Sequence, residues 1–371
     1  MGPSPLNFEP SSAALASRSL AAGPASLRDR LGRPLCDLRI SVTDRCNFRC
    51  RYCMPREEFT GQTFLPRSDL LTFEEITRVA SIFVSLGVQK LRITGGEPLL
   101  RKSLHRLVEQ LQPLGAEIAL TTNGVLLPAR AQALADAGLN RVTVSLDALD
   151  EDVFQRMSDA PHVSVADVLR GIDAALRAGL RPVKINCVVR RGVNDDQIEK
   201  LVRHFRGTGC SIRFIEFMDV GSTNGWQLGE VMTAESILER VRAVAGVEPL
   251  PSPEGNEVAR RYRLTDGGGE VGVIASVSQP FCRDCTRARL SAEGRLFTCL
   301  FSSSGTDLRG LVRSDTTSDT GLRERVAELW RGRSDRYSEL RSAGAKGEST
   351  NERRRHLPTL PGRVEMSYIG G

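Results

Sequence analysis

Long apolar runs are missing from this 371-residue chain, and with them any stretch able to cross a bilayer as a helix. Aromatic residues make up only 5% of it, too few for the stacking platforms of a single-strand nucleic-acid binder. Histidine occurs four times, and never between Cys53 and His105, so a zinc site near the first cysteines would have no imidazole to draw on. The nine cysteines are too sparse for a disulfide scaffold. No internal repeat is evident beyond an alternation of strand and helix patterns. What is present is ordinary globular composition, 40% hydrophobic and 26% charged, in a chain long enough for one large domain and a smaller one. The net charge of +6 suits a phosphorylated small ligand, and with so few aromatics we expect neither a nucleic-acid nor a membrane partner.

Six of the cysteines fall into two triplets. Cys46, Cys50 and Cys53 share one short loop, with three and then two residues between them. An iron–sulfur cube offers four irons, so three thiolates leave one iron open for chemistry. The competing reading is half of a tetrahedral zinc site, whose nearest candidate for a fourth ligand, Cys36, lies in a different segment. Cys282, Cys285 and Cys299 repeat the arithmetic downstream, and a zinc ribbon stapling the C-terminal region is the alternative there. Cys187 and Cys210 stand apart, and Cys187 sits in an apolar run as a small core residue would. Thiols that hold iron imply a reducing compartment.

Residues 1–33 are rich in Ala, Ser and Pro and lack periodicity, so they read as a disordered leader. Glu9, Asp29 and the missing amphipathic pattern argue against a transit peptide and favour the cytoplasm over a mitochondrial matrix. Short apolar runs then recur at 38–43, 90–94, 117–122, 141–146, 183–189 and 211–217. Between them lie stretches of helical period at 73–86, 104–114, 129–137, 165–178 and 195–206. Thr72 with Glu75 forms a capping-box pattern, and a glycine follows each helical stretch. This predicts an α/β fold, a partial (β/α)6 TIM-type barrel over 34–246. Past 246 the alternation stops. A hairpin around Gly267-Gly268-Gly269 and the second triplet predict a C-terminal α+β extension over 247–333 carrying a second iron–sulfur cluster. Residues 334–371 read as a mobile tail ending in Gly370-Gly371.

In barrels of this kind the active site lies at the carboxyl ends of the strands. The polar residues fall there repeatedly: the cysteine loop, Gly95-Gly96-Glu97-Pro98, Thr121-Thr122-Asn123, Ser145-Leu146-Asp147 and Glu216-Phe217-Met218. Arg39, Arg92, Lys184 and Arg213 lie in or beside apolar strands, where an unpaired charge is costly. Together they imply an anionic ligand.

The cysteine loop with Tyr52 before its last thiol, followed by Gly95-Gly96-Glu97-Pro98, resembles the radical S-adenosylmethionine superfamily. The second triplet enclosing Arg287 and Arg289, with the terminal Gly-Gly, narrows the resemblance to the GTP 3′,8-cyclases of molybdenum cofactor biosynthesis, across about residues 30–371. That resemblance implies two [4Fe–4S] clusters, with S-adenosylmethionine on the first and the guanine of GTP on the second. It assigns Tyr52, Gly96, Ser145 and Met218 to the cofactor, with Glu97 accepting from its ammonium. Arg39, Lys90, Arg92, Thr121, Lys184, Arg213, Arg287 and Arg289 match substrate contacts, and Gly370 and Gly371 enter the active site. A 5′-deoxyadenosyl radical would take hydrogen from C3′ of GTP, and C3′ would close on C8. The product is (8S)-3′,8-cyclo-7,8-dihydroguanosine 5′-triphosphate, which cyclic pyranopterin monophosphate synthase consumes. The electron donor is not indicated, and a homodimer is compatible. Two departures stand out: residues 334–356 are longer and more basic than the family pattern, and 158–164 reads as a small insertion; neither touches a matched residue, so both leave the function intact. Competing readings are a peptide- or nucleotide-modifying radical enzyme with an auxiliary cluster, and an iron–sulfur protein that binds without catalysing.

Overall fold

The six apolar runs form parallel strands separated by helices. The structure, a computed structural model, describes residues 27–61, 64–251, 258–341 and 363–370. Its barrel strands are β1 (Asp37–Ser41), β2 (Lys90–Thr94), β3 (Glu117–Thr122), β4 (Arg141–Ser145), β5 (Lys184–Val189) and β6 (Ser211–Glu216). The helices among them are α1 (Arg56–Phe59), α2 (Phe73–Ser85), α3 (Leu104–Leu111), α4 (Ala131–Asp136), α5 (Glu151–Ser158), α6 (Val165–Arg177) and α7 (Gln197–Phe205). Strands β1 to β6 are neighbours in sequence order, each parallel to the next, and so form an open partial barrel. The capping box is present: the Thr72 hydroxyl accepts from the Glu75 amide at 3.2 Å, and the Glu75 carboxylate accepts from the Thr72 amide at 2.7 Å.

The remaining elements are α8 (Ala234–Arg242), β7 (Val247–Pro249), β8 (Arg260–Leu264), β9 (Glu270–Ile274), β10 (Arg287–Leu290), β11 (Arg295–Phe297), β12 (Thr306–Asp307), α9 (Arg309–Arg313), α10 (Asp319–Arg331) and α11 (Met366–Ile369). The extension does not stand apart from the barrel; it joins both of its edges. Strand β10 runs parallel to β1, with β11 and β12 antiparallel beyond it. Strand β9 runs parallel to β6, with β8 and β7 antiparallel beyond it. One twelve-stranded sheet results, and the open edges of the barrel are covered.

Side chains alternate across this sheet. Leu38, Ile40, Leu91, Ile93, Ile185 and Phe214 are buried in the hydrophobic core. Arg39, Arg92, Lys184, Asn186 and Arg213 fall at the alternate positions and line the interior cavity. A closed barrel fills its interior with branched aliphatic residues. Here the interior is polar and open.

Two expectations about the ends need correction. Residues 1–26 of the presumed leader lie outside the described residues, but Leu27–Arg33 is folded against the extension. Asp29 and Arg33 are buried there as an ion pair of 2.6 Å, and the Trp330 indole donates to the Arg33 carbonyl at 3.2 Å. Their burial depends on pairing between charges, which apolar patterning does not register. The presumed tail is likewise docked over 334–341 and 363–370; residues 342–362 lie outside the described residues. Helices α5 and α10 were not anticipated. The first is short, and the second buries a narrow stripe of Leu322, Val326, Ala327 and Trp330.

Helix α6 passes so close to the turn after β3 that a Cβ at Gly171 would collide with the Gly124 carbonyl. In an ordinary helix interior Gly→Ala gains about 0.5–1 kcal/mol. Overpacking costs about 1–3 kcal/mol, and with backbone on both sides it dominates. Gly171→Ala is therefore expected to lower the urea midpoint with an unchanged slope; a midpoint equal to or above the parent contradicts the packing described.

Candidate active site

Parallel strands place their carboxyl ends on one rim, and the loops there enclose a cavity of about 810 Å³. That volume lies within the range of small-molecule sites. Both thiol triplets open into it. So do Tyr52, Gly96, Ser145 and Met218, and the basic and hydroxyl set Arg39, Lys90, Arg92, Thr121, Lys184, Arg213, Arg287 and Arg289. Gly370 lies against two of the lining residues: its carbonyl accepts a hydrogen bond from Arg289, and a Cβ there would collide with Thr94. Gly371 lies outside the described residues.

The first cysteine loop is fixed from three sides. The carbonyls at the end of α5 accept from it: the Arg49 amide donates to Ser158 at 3.0 Å and the Arg51 amide to Met157 at 3.2 Å. Ser158, at the start of the 158–164 stretch, thus touches the cysteine loop at Arg49, which is not one of the matched residues. From β4, the Asp147 carboxylate accepts the Tyr52 hydroxyl at 2.8 Å. From β2, the Gly96 and Glu97 amides donate to the carbonyls of Thr43 and Arg45, each at 2.8 Å. A Cβ at Gly96 would strike the Arg45 carbonyl, next to Cys46, so this glycine is required by the packing of two loops whatever ligand it meets.

Glu97 has a structural role beside the one expected of it. Its buried carboxylate accepts from the Leu99 amide at 2.9 Å and the Thr122 hydroxyl at 2.7 Å on Oε1, and from the Asn123 amide at 2.7 Å on Oε2. It ties the β2 rim to the β3 rim, with one acceptor site of Oε2 beyond these three bonds.

Burial pushes the Cys46 thiol up to about 12 and raises Cys50 and Cys53 as well. Thiolates there need a bound cation to exist at neutral pH. The second triplet is electrostatically different. Burial opposes ionisation of Cys285, but Arg287 and Arg333 overcome it and hold that thiol at about 6. The Arg287 guanidinium lies 3.6 Å from the Cys285 sulfur and over the Phe281 ring. Burial raises Cys299 to about 11.

The basic wall runs across adjacent strands. Arg39 is level with Arg92 on β2 and with Arg289 on β10. Burial, then Arg289, Arg287 and Arg92, lower the Arg39 pKa, and only Asp37 opposes them. Burial and Arg287 bring Arg289 down to about 9. Arg92 donates to the Thr121 hydroxyl at 3.2 Å and the Thr143 hydroxyl at 3.4 Å. Lys90, deeper in the barrel, stands 3.6 Å from Asp37 and 3.8 Å from Glu117, so carboxylates already neutralise part of its charge.

Sequence reasoning gave Asp147 a place on the rim but no role. Its carboxyl is pushed up to about 6 by burial, against the hydrogen bonds from Tyr52 and the Val188 amide. Its position at a strand end was the available signal; its link to Tyr52 was not visible in one dimension.

The donor sets suit iron–sulfur groups: three soft thiols each, with no imidazole among them. In the chain stripped of metal, iodoacetamide at pH 7 is expected to alkylate Cys285 at least tenfold faster than Cys46. Peptide mapping by mass spectrometry reads the two rates, and equal rates contradict the electrostatic difference.

Known proteins fit this geometry. The Radical SAM superfamily profile matches residues 40–205, and the Molybdenum Cofactor Synthesis C profile matches residues 210–339. A GTP 3′,8-cyclase of Acidothermus cellulolyticus is 55% identical over 359 residues, spanning 93% of this chain and 99% of its own. Those of Staphylococcus haemolyticus and Xanthomonas campestris pv. campestris are 46% and 48% identical, each over 94% of this chain and at least 98% of their own. In fold, the chain is similar to Streptococcus suis SuiB, crystallised with S-adenosylmethionine, with a TM-score of 0.55 at 15% identity over 78% of this chain and 68% of that one. With identity this high over nearly its whole length, the chain belongs to the GTP 3′,8-cyclase family of radical S-adenosylmethionine enzymes.

Proposed function

We propose that this chain converts GTP to (8S)-3′,8-cyclo-7,8-dihydroguanosine 5′-triphosphate, the first step of molybdenum cofactor biosynthesis. The observation that carries the reading is the shared chamber: both thiol triplets and the basic wall open into one cavity. Cys46, Cys50 and Cys53 would hold one [4Fe–4S] cluster, and Cys282, Cys285 and Cys299 a second. When bound, the first supplies the electron that cleaves S-adenosylmethionine to methionine and a 5′-deoxyadenosyl radical.

The chain's own residues bind, orient and exclude water. Gly96 gives backbone access to the methionine end, while Ser145 and Met218 flank the adenosine. Arg39, Lys90, Arg92, Lys184 and Arg213 hold the triphosphate deep in the barrel, where the guanidinium fork suits phosphate oxygens. Thr121 steadies Arg92 and faces the substrate. Arg287 and Arg289 lie between the wall and the second triplet, where the guanine end belongs. Gly370 lies beside Arg289, and its lack of a side chain leaves room for the ribose. A substrate held at both ends in this way would present C3′ to the cofactor side and keep C8 within reach of C3′, so most of the catalytic contribution of the protein is positioning.

The product suits cyclic pyranopterin monophosphate synthase as its consumer, in the cytoplasm. Among the described residues no helix is long and apolar enough to cross a membrane. The test is anaerobic turnover of reduced, reconstituted protein with GTP deuterated at C3′. Deuterium is expected in 5′-deoxyadenosine, from protein carrying about eight irons per chain. Formation of 5′-deoxyadenosine without that deuterium overturns the cyclase reading, and stoichiometric zinc overturns the cluster reading.

A further inference from the structure

Arg341 and Arg363 bracket residues 342–362, which lie outside the described residues, and both end on one carboxylate. Arg341 donates to Oδ1 of Asp219 and, at 2.9 Å, to the Ser276 carbonyl. Arg363 donates to Oδ2 of Asp219 at 3.2 Å and to its backbone carbonyl at 2.7 Å. Tyr337 adds its hydroxyl to Oδ2 at 2.7 Å, and Arg363 in turn lies over the Tyr337 ring. Both arginines are buried. Removing their shared partner would strand two charges away from water.

A second set of bonds follows at once along the chain. The Glu365 carboxylate accepts from the Ser222 amide at 2.8 Å and the Thr223 hydroxyl at 3.1 Å, and the Ser222 hydroxyl donates to the Arg363 carbonyl at 3.0 Å. Gly221 has a φ of +68°, and a Cβ there would collide with Glu365, so the loop is shaped to receive this side chain. Five residues after Glu365, Gly370 meets Arg289, a lining residue of the chamber.

We infer that Asp219 is a positioning residue that clamps both ends of residues 342–362 and so delivers the chain terminus to the active site independently of that stretch. Two arginines meeting on one carboxylate bring their Cα atoms within roughly 15 Å, a distance that about five extended residues cover. The long basic segment between them is therefore dispensable for terminus delivery, and the Asp219 clamp is not. The inference rests on the proposed function only for its turnover readout.

Two measurements on the full, reconstituted protein test it: amide hydrogen exchange across residues 364–370, and GTP-dependent product formation. Replacing residues 344–360 by about eight Gly and Ser residues, whose reach is roughly 15 Å, is expected to leave protection unchanged and turnover within about twofold. Asp219→Asn and Arg363→Gln are each expected to lower protection of 366–369 and product formation at least tenfold. If Asp219→Asn loses protection throughout the sheet as well, Arg363→Gln decides alone. A shortened chain that loses terminus protection, or an Arg363→Gln variant that keeps it, overturns the inference. Were the parent to make no cyclised product at all, the functional reading would fail while the exchange result still judged the clamp.

Discussion

Like charges held side by side on adjacent strands set the terms for this molecule. Arg39 is flanked in register by Arg92 and Arg289, on strands about 4.8 Å apart. At an effective dielectric near 20, two unit charges at about 5 Å repel by roughly 3 kcal/mol. Asp37 and Glu117 offset part of this lower in the barrel, beside Lys90, but Arg39 and Arg289 are left with depressed pKa values. A sheet carrying such a wall is stable because its other face buries a continuous aliphatic layer. The wall itself is satisfied by a ligand bearing several negative charges. That charge suits the nucleoside triphosphate proposed above better than an uncharged peptide.

The rim is rigid for a related reason: its loops are tied to one another more than to solvent. Glu97 joins β2 to β3, Asp147 joins β4 to the cysteine loop through Tyr52, and Glu216 joins β6 to the segment after β9, accepting from Val277 and Ser278. Each is a buried carboxylate at a strand end, neutralised by convergent donors and not by a cation. A cluster loop supported this way presents its thiols in one arrangement, which is what a catalytic group positioned for radical chemistry needs.

The barrel and the thiol triplets were legible because they follow local rules, period for the strands and spacing for the cysteines. Arg39, Arg92, Lys184 and Arg213 were legible as an inward-facing set because charge inside an apolar strand breaks its pattern. The chain ends were not legible. Leu27–Arg33 is anchored through buried Asp29 with Arg33 and Arg333, and 363–370 through Arg363, Arg341 and Asp219. Each charge taken singly reads as solvent-exposed, and only the pairing, across 304 residues for Asp29 with Arg333, reverses that. The tie that Glu97 makes to β3 was hidden for the opposite reason: its neighbour Gly96 suggested a ligand, while two of its three donors, Thr122 and Asn123, lie 25 and 26 residues further on. The link between the two ends of the sheet was equally hidden, since strands β10 and β9 carry no local mark of which barrel edge they join.

The most direct test of the charged wall is the thermal shift of anaerobically reconstituted protein with GTP, GDP, GMP and guanosine at equal concentration, at low and high salt. Stabilisation by a ligand tracks its affinity for the folded state. The account predicts that the shift falls steadily as phosphates are removed, and that the advantage of GTP shrinks as salt is raised. A shift from guanosine equal to that from GTP would contradict it.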